Sequence, residues 1–281
     1  MRRVEDGASD VAAVTGVEIG AETSPLRRAW SATTFGIGVV ATGTRILFAA
    51  RDPRTRLGVR LGTSKGAAWT RPLDLDRLKQ VSRALDVSLN DVLLAVTAGA
   101  LRRHLLAHGE RPHDLRIFMP VNLRPPGEPV PTTLGNRFGL VFLSLPISVA
   151  DARQRVRAVH ERTKKLKAGR EAAATFALMS IVGAVPVWGH RLAARVLGAK
   201  SSAIVTNVPG PRRPVSLAGA RVDRVMFWVP QAGSVGLGVS ILSYAGTVTV
   251  GIAADRNVIG DPAELVDAAE AEVAELERRL G

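Results

Sequence analysis

The 281-residue sequence predicts an α/β fold of the α+β kind, a mixed sheet flanked by helices. Three observations predict it. Runs rich in Val, Ile, Leu and Phe recur at 115–121, 138–145 and 203–208, and two alternating runs, 236–242 and 247–253, flank a turn. Helical stretches with recognisable start signals lie among them, at 72–85, 88–109, 151–168 and 263–280. Hydrophobic residues make up 46% of the chain but aromatics only 4%, so a substantial core must be built from Ala, Val, Leu and Ile.

The elements can be justified in order. Residues 18–56 form a connecting region, too interrupted by Gly, Thr and Arg45 to span a membrane. Residues 54–71 are polar and broken by Gly58, Gly62 and Gly66. Pro72-Leu73-Asp74-Leu75 starts a helix to about Leu85, with Leu75, Leu78 and Val81 on one face. Ser88 with Asp91 makes a capping-box start for the next helix, and apolar residues at 89, 92, 93, 96, 100 and 101 give it a stripe. Gly109 is its natural stop. His104, His108 and His113 lie on or just after this helix among charged neighbours, and His160 lies in a basic helix; all four read as solvated.

The strand at 115–121 ends in Pro120-Val121-Asn122-Leu123-Arg124. A proline-rich loop and a Gly135-Asn136 turn lead into the strand at 138–145. Asp151 caps a helix carrying Arg153, Arg155, Arg157, Arg162, Lys164, Lys165 and Lys167, a run that reads as a solvated face and is dense enough to suggest an anionic surface nearby. Ala172 to Gly189 carries no charge; Gly183 and Pro186 interrupt it, so it reads as a helix or helix pair against the sheet or an interface. His190 borders it and reads as a partly buried structural histidine.

Residues 203–208 form a short buried strand stopped by Pro209-Gly210-Pro211, because the prolines lack N–H donors and Gly210 permits a positive φ. Thr206 and Asn207 therefore sit at a strand end, where α/β folds place site residues. Residues 214–229 read as a strand pair, and Ser243-Tyr244-Ala245-Gly246 as a hairpin turn. Asp261-Pro262 caps a final amphipathic helix, acidic on its outer face.

The formal net charge of +13 favours anionic partners such as a membrane surface or CoA phosphates. Sparse aromatics disfavour a single-strand nucleic-acid site. With no Cys, disulfides, thiolate catalysis and Cys-ligated metals are excluded, and a reducing cytoplasm fits. Met1-Arg2-Arg3 is followed by acidic and small residues, unlike a signal peptide.

Thr206-Asn207-Val208-Pro209-Gly210-Pro211 and Asn90-Asp91-Val92-Leu93-Leu94-Ala95 resemble phrases of the bacterial wax ester synthase/diacylglycerol acyltransferase (WS/DGAT) family. Pro120 to Arg124, Gly135-Asn136 and Ser243 to Gly246 fit the same family in the same order. The resemblance implies a chloramphenicol-acetyltransferase-like fold, mainly its C-terminal half. Residues 1–71 would be a remnant of the N-terminal half with the crossover, and 72–281 the C-terminal domain. The family's active-site motif is His-His-x-x-x-Asp-Gly. Aligned on Asp6-Gly7, its histidines fall at Met1 and Arg2, so the expectation is a truncated member that lacks the general base and keeps Asp6 in a structural role. Arg2 cannot replace that base because it stays protonated.

The activity implied is transfer of a fatty acyl group from acyl-CoA to diacylglycerol or a long-chain alcohol. Asn90, Asp91, Arg124, Asn136, Thr206 and Asn207 would line the substrate channel. Acyl-CoA enters as cosubstrate, with no resident cofactor and no metal. The expected location is cytoplasmic, peripheral to a membrane or lipid droplet. The alternative is a non-catalytic lipid-surface binder or the partner of a separate N-terminal half.

Overall fold

The computed structural model describes residues 55–123, 138–168, 198, 200–231 and 233–279. Asp6, Arg124, Asn136, the uncharged stretch 172–189 and His190 lie outside these residues. Among the described residues nine strands and four α-helices follow one another: β1 (Lys65–Trp69), β2 (Leu73–Asp74), α1 (Leu75–Ala84), α2 (Leu89–Ala107), β3 (Leu115–Asn122), β4 (Phe138–Leu145), α3 (Ala152–Ala168), β5 (Ala203–Pro209), β6 (Ser216–Leu217), β7 (Ala220–Arg221), β8 (Leu237–Tyr244), β9 (Thr247–Asp255) and α4 (Pro262–Arg278).

Among the described residues the main sheet runs β1-β9-β8-β5-β3-β4, with β2 also on β9. It is mixed, as the sequence predicts. β5 lies parallel to both β3 and β8, and every other pair in the sheet is antiparallel. The polar stretch 54–71 contains β1, an edge strand paired from Lys65↔Asp255 to Trp69↔Gly251. An edge strand has one free side, so its apolar pattern is weak.

One face of the sheet meets the helices. Leu115, Ile117, Ala203, Val205, Leu237, Val239, Ile241, Val248, Val250, Ile252 and Ala254 join the core from that side. The alternate residues Gly238, Ser240, Gly251 and Ala253 face the other way and form a shallow trough. The segment from Phe227 to Gln231 lies in it. A Cβ on Gly238 would come within 2.7 Å of Val229 Cγ1, so only glycine allows this approach. Ser240 Oγ donates to the Phe227 carbonyl (2.5 Å), and Gln231 Nε2 donates to the Ala253 carbonyl (2.6 Å). These side-chain bonds replace a backbone ladder. The strand pair predicted over 214–229 therefore shrinks to β6–β7, two residues each.

β5 also departs from expectation. It continues through Pro209, paired with Ser243, and the Gly210 N–H donates to the Ser243 carbonyl (2.9 Å). The Gly210 N–H points at β8, so Pro209, one residue earlier, points its donor-less nitrogen away from β8. β3 pairs only with Ala203 and Ile204, so no ladder bond is lost there. Gly210 serves close approach, since a Cβ would collide with that carbonyl. A positive φ belongs instead to the two-residue β8–β9 turn, Ala245 (φ 46°) and Gly246 (φ 87°).

α2 is buried on every side from Asp91 to Leu101, more than the predicted stripe requires. α4 and α3 flank it, and their approach is fixed by charge. The outer face of α4 is acidic as expected, with Glu264 and Asp267 exposed, but Glu272 is buried. It accepts from Arg155 of α3 and from Arg103 Nε of α2 (2.5 Å). Arg155 is likewise buried, so the basic run of α3 is not simply a solvated face. Gly99 faces Glu272, and a Cβ there would overlap the carboxylate. Among the described residues no single helix is long and apolar enough to cross a membrane.

Replacing Glu272 by Ala leaves Arg155 buried without its counter-charge and should cost about 3–5 kcal/mol in urea unfolding. The double substitution Arg155→Met/Glu272→Leu should cost clearly less. Equal losses would show that packing, not charge pairing, dominates there.

Candidate functional site

The candidate site forms where the start of α2 meets the end of β5. Ser88 is the N-cap of α2: its hydroxyl accepts from the Asp91 N–H (3.2 Å), and Asp91 Oδ2 accepts from the Ser88 N–H (3.1 Å). The predicted capping box is therefore complete. It turns Asn90 outward to β5, where Asn207 Nδ2 donates to Asn90 Oδ1 (3.1 Å). This clasp joins the two phrases that stand out most in the sequence, although they lie 117 residues apart.

Thr206 does not join it. Side chains alternate along a strand, and Val205 faces the helices. Asn207 shares that face, while Thr206 points to the other one, where it is buried. The expected Thr206–Asn207 pair is thus divided between the two sides of the sheet.

Asp91 is almost wholly buried and carries more than the cap. Thr163 Oγ1 donates to its Oδ1 (2.6 Å), and His160 Nδ1 lies 2.9 Å from its Oδ2. Both partners come from α3. Burial pushes the Asp91 pKa up, but the hydrogen bonds from Thr163, His160 and Ser88 outweigh it and hold the carboxyl below its usual range. An ionised carboxylate only accepts, so His160 Nδ1 is the donor in this contact, and its Nε2 is free of Asp91. A histidine oriented by a buried carboxylate is a base-and-orienter arrangement.

Sequence reading placed His160 among solvated residues. It is half-buried and tied to the site instead, because α3 runs antiparallel to α2 and brings its middle, His160 to Thr163, to the start of α2. Its spacing from Thr163, three residues on a helix, was the available signal. His108 and His113 are exposed as expected, whereas His104 is buried. A surface hollow of about 380 Å³ lined by Leu61, Lys65, Val229, Gln231 and Val235 shares no residue with the site.

Comparison with known proteins gives this arrangement a family. The WS/DGAT C-terminal domain matches residues 134–277. The chain belongs to the WS/DGAT family. It is 36% identical over 205 residues to a probable diacylglycerol O-acyltransferase of Mycobacterium tuberculosis strain H37Rv, covering 71% of this chain and 44% of that protein. A putative diacylglycerol O-acyltransferase of the same strain is 27% identical over 260 residues, covering 89% of this chain and 55% of the relative. The chain thus spans about half the length of the curated relatives it matches.

Among solved structures, the wax ester synthase/diacylglycerol acyltransferase from Marinobacter aquaeolei VT8 superposes with a TM-score of 0.64 at 22% identity, over 94% of this chain and 58% of that one. The epimerization domain of tyrocidine synthetase B gives 0.58 at 13% identity, over 97% and 64%. At these identities the likeness is one of fold, and it agrees with the predicted mixed sheet flanked by helices.

Replacing Asp91 by Ala removes the cap and strips two α3 side chains of their acceptor, and should cost about 2–4 kcal/mol in urea unfolding. The folded pKa of Asp91 lies below its unfolded value near 3.8. Its contribution is therefore fully present above that value and fades as pH falls through the folded pKa. The stability gap between wild type and Asp91→Ala should narrow as pH falls below the unfolded value near 3.8.

Proposed function

We propose that this chain is the C-terminal half of an O-acyltransferase that moves a fatty acyl group from acyl-CoA to diacylglycerol or a long-chain alcohol. The observation that carries the reading is the Asn90–Asn207 clasp, which joins the two family phrases at one place beside the capped start of α2. Names of relatives point the same way, since they are called diacylglycerol O-acyltransferases.

In this reading Asn90 and Asn207 border the channel, and Asp91 positions them by fixing where α2 begins. Their amides offer hydrogen bonds to a thioester or ester carbonyl without competing as bases. Arg124 and Asn136 belong to the same channel, and Asp6 to the family's histidine motif. Attack of the acceptor hydroxyl on the thioester carbonyl forms the ester C–O bond, breaks the C–S bond and releases CoA. The hydroxyl proton must pass to a base. Acyl-CoA is a cosubstrate, and the protein works at the cytoplasmic side of a membrane or on a lipid droplet.

The test is CoA release from palmitoyl-CoA with diacylglycerol or hexadecanol, using the 281-residue chain alone and with a family N-terminal segment carrying His-His. Turnover is expected with that segment, and Asn90→Ala or Asn207→Ala should lower kcat/KM about tenfold or more. No release under either condition overturns the reading. If the chain turns over by itself, His160 is the base to test, and His160→Gln should lower kcat at least about a hundredfold.

A second reading, a lipid-surface binder without catalysis, is favoured by the exposed apolar side chains Trp69, Trp228 and Leu217, the last 75% exposed, together with the +13 charge. Salt-sensitive flotation with anionic vesicles, without CoA release, would support it over the first.

A further inference from the structure

The end of α2 carries a second constellation, separate from the Asn90 site. His104 and His108 are one turn apart on one face of α2, their ring centroids 4.3 Å apart. Glu264, in the first turn of α4, faces both. Its Oε2 lies 3.3 Å from His104 Nδ1 and 3.7 Å from His108 Nε2. One ligand atom from each of the three residues falls within 4.8 Å of the others. Four ligands around zinc at about 2.0–2.1 Å are separated by about 3.3 Å, so the cluster is close to that size.

Two further observations point to a ligand. His104 is 3% exposed, yet its Nδ1 meets only the Glu264 carboxylate, at 3.3 Å and outside hydrogen-bond geometry, and its Nε2 has no hydrogen-bond partner. A buried polar group left in this way costs about 1–3 kcal/mol. The other histidine is already oriented: His108 Nδ1 lies 2.8 Å from the His104 carbonyl. A carbonyl only accepts, so Nδ1 holds the proton and Nε2 presents its lone pair toward Glu264. Metal-bound histidines are held in the same manner by a bond to the ring's other nitrogen.

We propose that His104, His108 and Glu264 bind one Zn²⁺ ion. The donor set is two imidazole nitrogens and a carboxylate oxygen, which suits zinc and its first-row neighbours and does not suit Mg²⁺ or Ca²⁺. The Glu264 side chain is half-exposed, which leaves a path for the ion and room for water as fourth ligand. The C-terminus of α2 adds a favourable partial negative charge.

The other charged groups facing the cluster are Glu110 and Arg56. Arg56 opposes a cation, but Glu110 accepts from its backbone N–H (3.1 Å) and lies 3.7 Å from its Nε. With neutral histidines, the two glutamates and one arginine leave a net charge of about −1 for the ion to meet. His104 is 14 residues beyond Asn90, about 21 Å along the helix. The site is therefore a clamp between α2 and α4, independent of the proposed acyl transfer.

The test uses the tag-free 281-residue chain, stripped with a chelator and titrated with Zn²⁺ by calorimetry and with Co²⁺ by visible absorption. One equivalent should bind, with a tetrahedral cobalt spectrum and a rise in Tm with zinc. His108→Ala and Glu264→Gln, both at partly exposed side chains and checked by circular dichroism, should each weaken binding more than about tenfold. His113→Ala should leave it unchanged. Absence of saturable binding, or unchanged affinity in either cluster variant, overturns the proposal.

Discussion

A carboxylate buried among three helices sets the geometry of the helical layer. Glu272 comes from α4, and its partners Arg103 and Arg155 come from α2 and α3. A charge inside a protein must meet its counter-charge with good geometry, because solvation no longer compensates for a poor fit. The three helices consequently cannot slide past one another independently. Gly99 completes the constraint by leaving α4 no side chain to climb over. Hydrophobic packing alone would be less selective, since Leu, Val and Ala surfaces accept several registers.

The layer in turn determines where α2 begins. With its middle surrounded, the helix delivers its capped end to the edge of β5, and α3 returns antiparallel to place His160 and Thr163 on Asp91. Asp91 therefore belongs to two systems, the helix cap and the helix–helix contact. The position of Asn90 opposite Asn207 follows from both. A site assembled this way owes its precision to backbone elements and buried bonds, and little to loop conformation.

Much of this was legible in the sequence, because it rests on local chemistry. Ser88 with Asp91, Asp261 before Pro262, and Ala245-Gly246 between alternating runs are short-range signals, and each element appears where it was predicted. What could not be read depends on partners distant in sequence. Glu272 and Arg155 look like surface charges until the helices meet. Thr206 and Asn207 look like a pair until the pleat separates them. β1 looks like loop because its order comes from β9, and residues 222–229 look like strand but lie in a trough that glycines elsewhere make. His160 shows the same limit: a histidine in a basic helix takes its role from a carboxylate 69 residues away.

The pairing of β1 with β9 also has a temporal consequence. Lys65 and Asp255, which share a 2.5 Å contact, are 190 residues apart. On a ribosome adding 5–20 residues per second, β1 waits roughly 10–40 s for β9. During that interval its hydrogen-bonding edge is open to other chains, the usual route to aggregation. Its sequence, Lys-Gly-Ala-Ala-Trp, is poor in β-branched residues and begins with a charge. Such a strand has little tendency to pair with copies of itself. Weak intrinsic strand propensity thus suits an element whose proper neighbour is made 190 residues later.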